Sequence, residues 1–143
     1  MSIEENKAVV RRFIEQALNQ ADMAVADQVL AETAVDRDLL IYHQPGTGPA
    51  GIKEGIQLLH VAFPDLNAEI EELLAEEDRV VARLTISGTN TGPYRGLPQP
   101  TGKHGDMRAI FIFRVDDGRI AEIRGVADRM HLLTQLGILP DIG

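Results

Sequence analysis

The sequence predicts an α+β fold, a curved antiparallel sheet with N-terminal helices packed on its concave face and an internal pocket between the two. Three observations predict it. Apolar residues up to Phe63 recur at helical spacing, residues beyond Pro64 alternate with period two, and the chain has 143 residues, which suits a single domain over 1–143. Helices followed by a run of strands is the α+β order, with helices on one face of the sheet. A sheet covered by so few helices must bend to enclose a core. A pocket between sheet and helices is a common place for a small ligand.

Each element has its own signal. Ser2 with Glu5 forms a capping box, and Val10, Phe13, Ile14, Ala17 and Leu18 then make one apolar helix face. Asp22 caps a second short helix carrying Ala26, Val29 and Leu30. Leu39 to His43 is a short apolar run that reads as a strand, and Pro45-Gly46-Thr47-Gly48-Pro49 is a loop. Ile52, Ile56, Leu59, His60 and Phe63 give a third helix, stopped by Pro64. Leu66, Ala68 and Ile70 then alternate with Asn67, Glu69 and Glu71. Arg79 to Ser87 is a β-branched, alternating strand, and the glycines and prolines between Gly88 and Gly105 make a long connection. Arg108 to Val115 is a further strand, joined through the hairpin signal Asp117-Gly118 to Arg119 to Val126. Asp128 to Leu136 closes the chain as a helix, with Gly137 at its C-terminal cap and Pro140 beyond.

Composition narrows the function. The chain is 44% hydrophobic and carries a net charge of -8. It lacks the basic patch that a nucleic-acid binder needs to displace counterions, and it suits an anionic membrane surface no better. With no cysteine, disulfides, thiol nucleophiles and zinc–cysteine sites are excluded. No His-x-His or His-x₃-His pair suggests a metal site, and none is expected. No apolar run reaches the roughly 20 residues that span a bilayer, and the polar start Ser2 to Lys7 is no signal peptide. The expectation is a cytoplasmic protein. Glu69-Glu71-Glu72 and Glu76-Glu77-Asp78 read as a solvated face.

An ordered set of short segments carries a resemblance. These are Asn19-Gln20-Ala21-Asp22, His43 to Pro49, Ala62-Phe63-Pro64-Asp65-Leu66, Gly88 to Gly92, Pro100-Thr101-Gly102-Lys103, Phe113 to Ile120, and Asp128 to Gly137. Together they resemble the SnoaL-like polyketide cyclase family, within the nuclear-transport-factor-like superfamily of cone-shaped α+β folds. The resemblance covers nearly the whole chain. It implies a cofactor-free enzyme of secondary metabolism acting on a hydrophobic, polyketide-like small molecule, and a homodimer. Relatives close rings by aldol addition or act as hydroxylases.

An aldol cyclase needs a base beside the reacting carbon and a donor for the enolate oxygen. The resemblance puts that base after an arginine on the last strand, where this chain reads Arg124-Gly125, and a helper histidine where it has Phe111. Glycine accepts no proton, which tilts the expectation from cyclase toward hydroxylase. The related limonene-epoxide-hydrolase family is matched by Arg83, and by Tyr42 and Gln44 at its water-holding positions. Thr85 and Gly125 replace its two acids.

Alternation and resemblance together turn Arg83, Thr85 and Ser87 toward the cavity, with Met107, Ala109 and Phe111 on the next strand and Ile123, Gly125 and Ala127 on the last. Arg83 either hydrogen-bonds a substrate oxygen or pairs with a carboxylate at the rim. Asp128 is a helix cap, a general base, or both. His60 is a satisfied core or rim residue, or a proton shuttle. Tyr42 is favoured over His43 as the inward residue, and Asp65 either ends the third helix or lines the entrance. His104, Asp106 and Arg108 share a face that points away. The expected catalytic set is Asp128, Arg83, Tyr42 and Gln44, and the expected binding set is Thr85, Ser87, His60, Met107, Phe111, Ile123 and Gly125. A binding protein that sequesters or delivers an apolar ligand is the second reading, and epoxide-hydrolase-like water addition the third.

Overall fold

The computed structural model describes residues 2–38, 40–42, 48–97 and 99–141. Helix α1 (Ile3–Arg12) opens on the expected capping box: Ser2 Oγ accepts from Glu5 N at 3.0 Å, and Glu5 Oε1 accepts from Ser2 N at 3.2 Å. It runs on into a π-helical turn, Phe13–Leu18, whose apolar side chains are all buried. Asp22 caps α2 (Met23–Val29) through Val25 N. Strand β1 (Leu30–Asp36) follows, then α3 (Pro49–Ala62), with proline in its first turn. Strands β2 (Asn67–Glu76), β3 (Arg79–Thr89), β4 (His104–Asp116) and β5 (Arg119–Ala127) precede the closing helix α4 (Arg129–Gln135).

The α+β architecture is as expected, with one correction to the sheet. Strand order is β1-β5-β4-β3-β2, and β2 to β5 form an antiparallel meander. The edge strand β1 joins β5 in parallel, so the sheet is mixed. The expected strand at Leu39 to His43 is not there either. Leu40, Ile41 and Tyr42 are buried but lie outside any strand, while Leu39 and His43 fall outside the described residues. The strand lies earlier, over a segment whose alanines and glutamate read locally as helix. Pairing with β5 overrides that local preference.

The ladder assigns the faces. Directly opposite residues of an antiparallel pair share a face. Leu84 faces Ala109, Ile86 faces Met107, Phe111 faces Gly125 and Phe113 faces Ile123. This is the inner face, against which Phe13 stacks edge-on to Phe113 at 5.9 Å. Phe13, Phe111 and Phe113 are fully buried, each contributing about 1.5–3 kcal/mol. Arg83 is opposite Ile110, Thr85 opposite Arg108 and Ser87 opposite Asp106, which is the outer face.

The connection between β3 and β4 is held by one side chain. Asn90 is fully buried; its Nδ2 donates to Gly92 O at 2.9 Å and Ala62 O at 3.3 Å, and its Oδ1 accepts from Thr101 N at 2.9 Å. A long loop with its polar groups satisfied in this way is a fixed part of the wall. No helix among the described residues is long and apolar enough to cross a membrane.

Glu122 ties the end of β1 to β5. Its carboxylate accepts from Arg37 Nε at 2.8 Å and from Arg124 Nε at 2.9 Å. These hydrogen bonds hold its pKa at about 2, below the ordinary 4.5. A pKa depressed by folding contributes stability that is complete above the unfolded value and lost as pH falls toward the folded one. Acid titration of the urea midpoint therefore shows a loss between pH 4.5 and about 2, and Glu122→Gln removes that part of the loss. An unchanged acid limb in the variant refutes the assignment.

Candidate functional site

A cavity opens between the inner sheet face and the helices. Its apolar wall comes from Leu18 of the π turn, Leu59 and Phe63 at the end of α3, Leu66, Ile86 of β3, Met107 and Phe111 of β4, and Leu132 of α4. Gly88 and Gly105 are paired across the ladder at its mouth. A Cβ on Gly88 would sit 2.8 Å from Phe63 Cβ, and one on Gly105 2.9 Å from Leu132 Cδ1. The two glycines let α3 and α4 close on the sheet. Its volume is about 40 Å³, room for a few waters, against about 300–1,000 Å³ for ligand pockets in general.

Among the described residues one charged side chain lines this wall, Arg129 from the first turn of α4. Its Nη2 donates to Leu40 O at 2.7 Å, and its Nε is buried with no acceptor among the described residues. Burial lowers its pKa, and the nearby charge of Arg95 lowers it further; Tyr94 and Asp36 oppose the shift. Tyr94 also lines the cavity, and its ring meets Phe63 edge-on at 5.1 Å and Tyr42 at 6.1 Å. Asp36 is buried, and its two oxygens accept from Leu40 N and Ile41 N, both at 2.9 Å. Its pKa is raised, mainly by burial, with the two backbone donors acting against that. Among the described residues no group of three or more histidines and acids is placed to hold a metal ion.

The expected site residues fall into three places. Met107 and Phe111 line the cavity, and Ser87 borders it. Ile123 and Gly125 are on the inner face but not among the lining residues, and Tyr42 is buried with its phenol oxygen accepting from Arg95 N at 2.9 Å. His60 Nε2 donates to Leu18 O at 2.6 Å and lies outside the lining.

Arg83, Thr85 and Asp128 require correction, because they lie on the outer side. The expected phase of β3 is off by one residue: both of its faces carry β-branched side chains, so period two alone does not say which is inward. Arg83 is half exposed and pairs with Glu72 at 3.5 Å. Asp128 caps α4 through His131 N at 3.1 Å. Arg83 and Asp128 both line a shallow outer groove, with Arg108, Ile110 and Val126. Asp65 is half exposed and outside the lining, accepting from Thr89 N at 2.6 Å and Thr89 Oγ1 at 2.8 Å. His104, Asp106 and Arg108 are exposed, as expected. Gln44 lies outside the described residues.

Comparison with known proteins accounts for this architecture. The family described as SnoaL-like polyketide cyclase matches residues 8–136. The chain belongs to that family. TsrD from Streptomyces laurentii superposes with a TM-score of 0.85 at 27% identity, over 97% of this chain and 99% of its own. AclR, a proposed hydroxylase from Streptomyces galilaeus, gives 0.82 at 30% identity over 99% and 91%. IdmH, a proposed polyketide cyclase from Streptomyces antibioticus, gives 0.76 at 28% over 92% and 98%. No curated protein matches the sequence.

In this SnoaL-like chain, sequence reasoning missed Arg129, Tyr94, Arg95 and Asp36. A signal existed for Arg129. A cation in the first turn of a helix opposes the macrodipole, so an arginine directly after an Asp cap needs another reason to be there. Gly125, where the resemblance expects the cyclase base, sits at φ +150° and donates its N–H to Asp38 Oδ2 at 2.8 Å. A Cβ there would lie 2.0 Å from Ile110 O and 3.0 Å from Leu40 Cδ2. Strain and overlap together predict that Gly125→Ala costs about 2–4 kcal/mol, and Gly125→Asp at least as much. Urea midpoints at constant m-value measure this; a wild-type midpoint in Gly125→Ala contradicts it.

Proposed function

We propose that this chain is an enzyme acting on a hydrophobic, polyketide-like small molecule, of the hydroxylase type rather than the aldol-cyclase type. The observation that carries it is Arg129: a guanidinium in an apolar wall with a buried, unpaired Nε. An arginine so placed binds a carbonyl, phenolate or enolate oxygen strongly, since its charge is poorly screened there. Arg129 holds the substrate oxygen, Tyr94 orients it, and Met107 and Phe111 face the apolar body. The cavity must widen to admit a ring. Met107, half-buried and unbranched, is the wall residue best able to give way.

Gly125 supports the hydroxylase reading over the cyclase one. Its surroundings leave no space for a carboxylate side chain, with Leu40 packed against that position. Hydroxylation asks less of the protein. An electron-rich phenolate or enolate carbon reacts with dioxygen to form a C–O bond as a hydroperoxide. A two-electron reductant such as a thiol then cleaves the O–O bond to a hydroxyl and water. Arg129 contributes by stabilising the anion, and the cavity by positioning. The binding-protein reading remains the second one, favoured by the absence of a carboxylate among the described lining residues.

Mass spectrometry of an anthraquinone-type polyketide ester incubated in air, with and without a thiol, tests this. The expected product gains one oxygen. Unchanged mass with turnover means cyclisation or isomerisation, and a gained water means hydrolysis; either overturns the hydroxylase type. Retention without conversion favours the binding protein. Arg129→Met is expected to lower kcat/KM by about 10²–10³. Asp128→Asn keeps turnover, since the cap lies outside the cavity.

The homodimer implied by the resemblance belongs to the same proposal. The outer sheet face carries Ile110 at 43% and Val126 at 70% exposure, beside Arg83, Arg108 and Asp128. Exposed apolar residues rimmed by charge are typical of a contact surface. Light scattering is expected to return twice 15.7 kDa for the wild type and a single-chain mass for Val126→Glu. A monomeric wild type at micromolar concentration rejects the dimer.

A further inference from the structure

Two guanidiniums converge on Tyr94. Arg95 Cζ lies 5.5 Å from the Tyr94 ring centroid and 5.4 Å from that of Tyr42. Arg129 flanks the same residue at the cavity wall, where Tyr94 favours its charged form. Both arginines have a buried Nε with no acceptor among the described residues. Arg95 is also held at φ +54°, in the left-handed region that bulky side chains rarely adopt. Its N–H on the Tyr42 phenol and its stack on two rings keep it there.

The charge of Arg95 disfavours that of Arg129, and Asp36, which opposes this, makes its hydrogen bonds elsewhere. Asp36 has both oxygens on backbone N–H groups. Asp38 is exposed and accepts from Gly125 N. The chain as a whole is acidic, at -8, so this positive excess is local. Burying an unpaired donor is costly, and a single anion would satisfy both donors and the local positive charge together.

Resting on the small-molecule reading above, we propose that the ligand of this cavity is a free carboxylic acid: an apolar, flat body whose carboxylate binds Arg129, with Arg95 supplying the second positive charge. A carboxylate matches the two-donor fork of a guanidinium, and Ile86, Met107 and Phe111 receive the body. A phosphate dianion fits less well, because it would bring a larger desolvation penalty into the same apolar wall.

Calorimetric titration of the full chain with anthraquinone-2-carboxylate, its methyl ester, acetate and inorganic phosphate tests this. The wild type is expected to bind the acid about 10–100-fold more tightly than the ester, with the preference shrinking as salt rises. Arg129→Met abolishes the preference, because it weakens binding of the acid far more than that of the ester. Arg95→Met reduces it in part, and Arg129→Lys restores only some of it. Equal binding of acid and ester by the wild type overturns the carboxylate but leaves the pocket reading standing. Binding of neither overturns the pocket reading itself. Acetate or phosphate binding as tightly as the acid reduces the site to an adventitious ion only and also overturns the proposal. The acid–ester comparison on the wild type decides the matter even if a variant fails to fold.

Discussion

The carboxylate of Asp36 is the constraint on which the site depends. It ends β1, opposite Ile123 of β5, and turns the chain by taking the N–H groups of Leu40 and Ile41. That capture places Leu40, whose carbonyl holds Arg129 and whose side chain packs at Gly125. Ile41 becomes a wall of the cavity. A buried carboxylate is costly unless its lone pairs are occupied, and here the occupants are the backbone groups that must be positioned. Removing one member of such an arrangement leaves the others buried and unpaired, which is more damaging than the loss of one hydrogen bond.

The second organising feature is how the cavity is closed. The paired glycines Gly88 and Gly105 bring α3 and α4 onto the sheet, and Asn90 fixes the connection that carries Tyr94 and Arg95. Apolar side chains supply the bulk of this enclosure and aromatic edges its shape. The polar groups around Arg129 come from chain segments distant in sequence: Leu40 after β1, Tyr94 in the long connection and Arg129 itself on the last helix. A guanidinium in such surroundings interacts more strongly with an anion than it would in water. The loop and helix that present these groups are anchored, which is what a binding or reacting site requires of its walls.

The parts of the fold with local causes were legible. The Ser2–Glu5 box, the Asp22 cap, the helix stop before Pro64 and the Asp117-Gly118 turn depend on neighbours within a few residues, and each is where the sequence placed it. Strand β1 was not legible, because the alanines and glutamate of Leu30 to Asp36 read locally as helix, and the segment is extended only by pairing with β5. The phase of β3 was ambiguous for a related reason. Val80 and Val81 are both apolar, and only the register with β4, setting Arg83 opposite Ile110, sends the arginine outward. An apolar cavity with a single guanidinium was anticipated from the sequence, but its arginine is Arg129 and not Arg83.

The sequence alone determined the α+β class, the family, the inward face of β4 and the glycine at position 125, because periodicity, caps and ordered motifs are properties of short stretches of chain. Tertiary structure decided which polar groups share the cavity. Arg95 and Arg129 are 34 residues apart in the chain, and nothing in either neighbourhood encodes their meeting at Tyr94. That meeting follows from the curl of the sheet and from where α4 packs on β4, and both are set by burial of apolar surface summed over the whole domain.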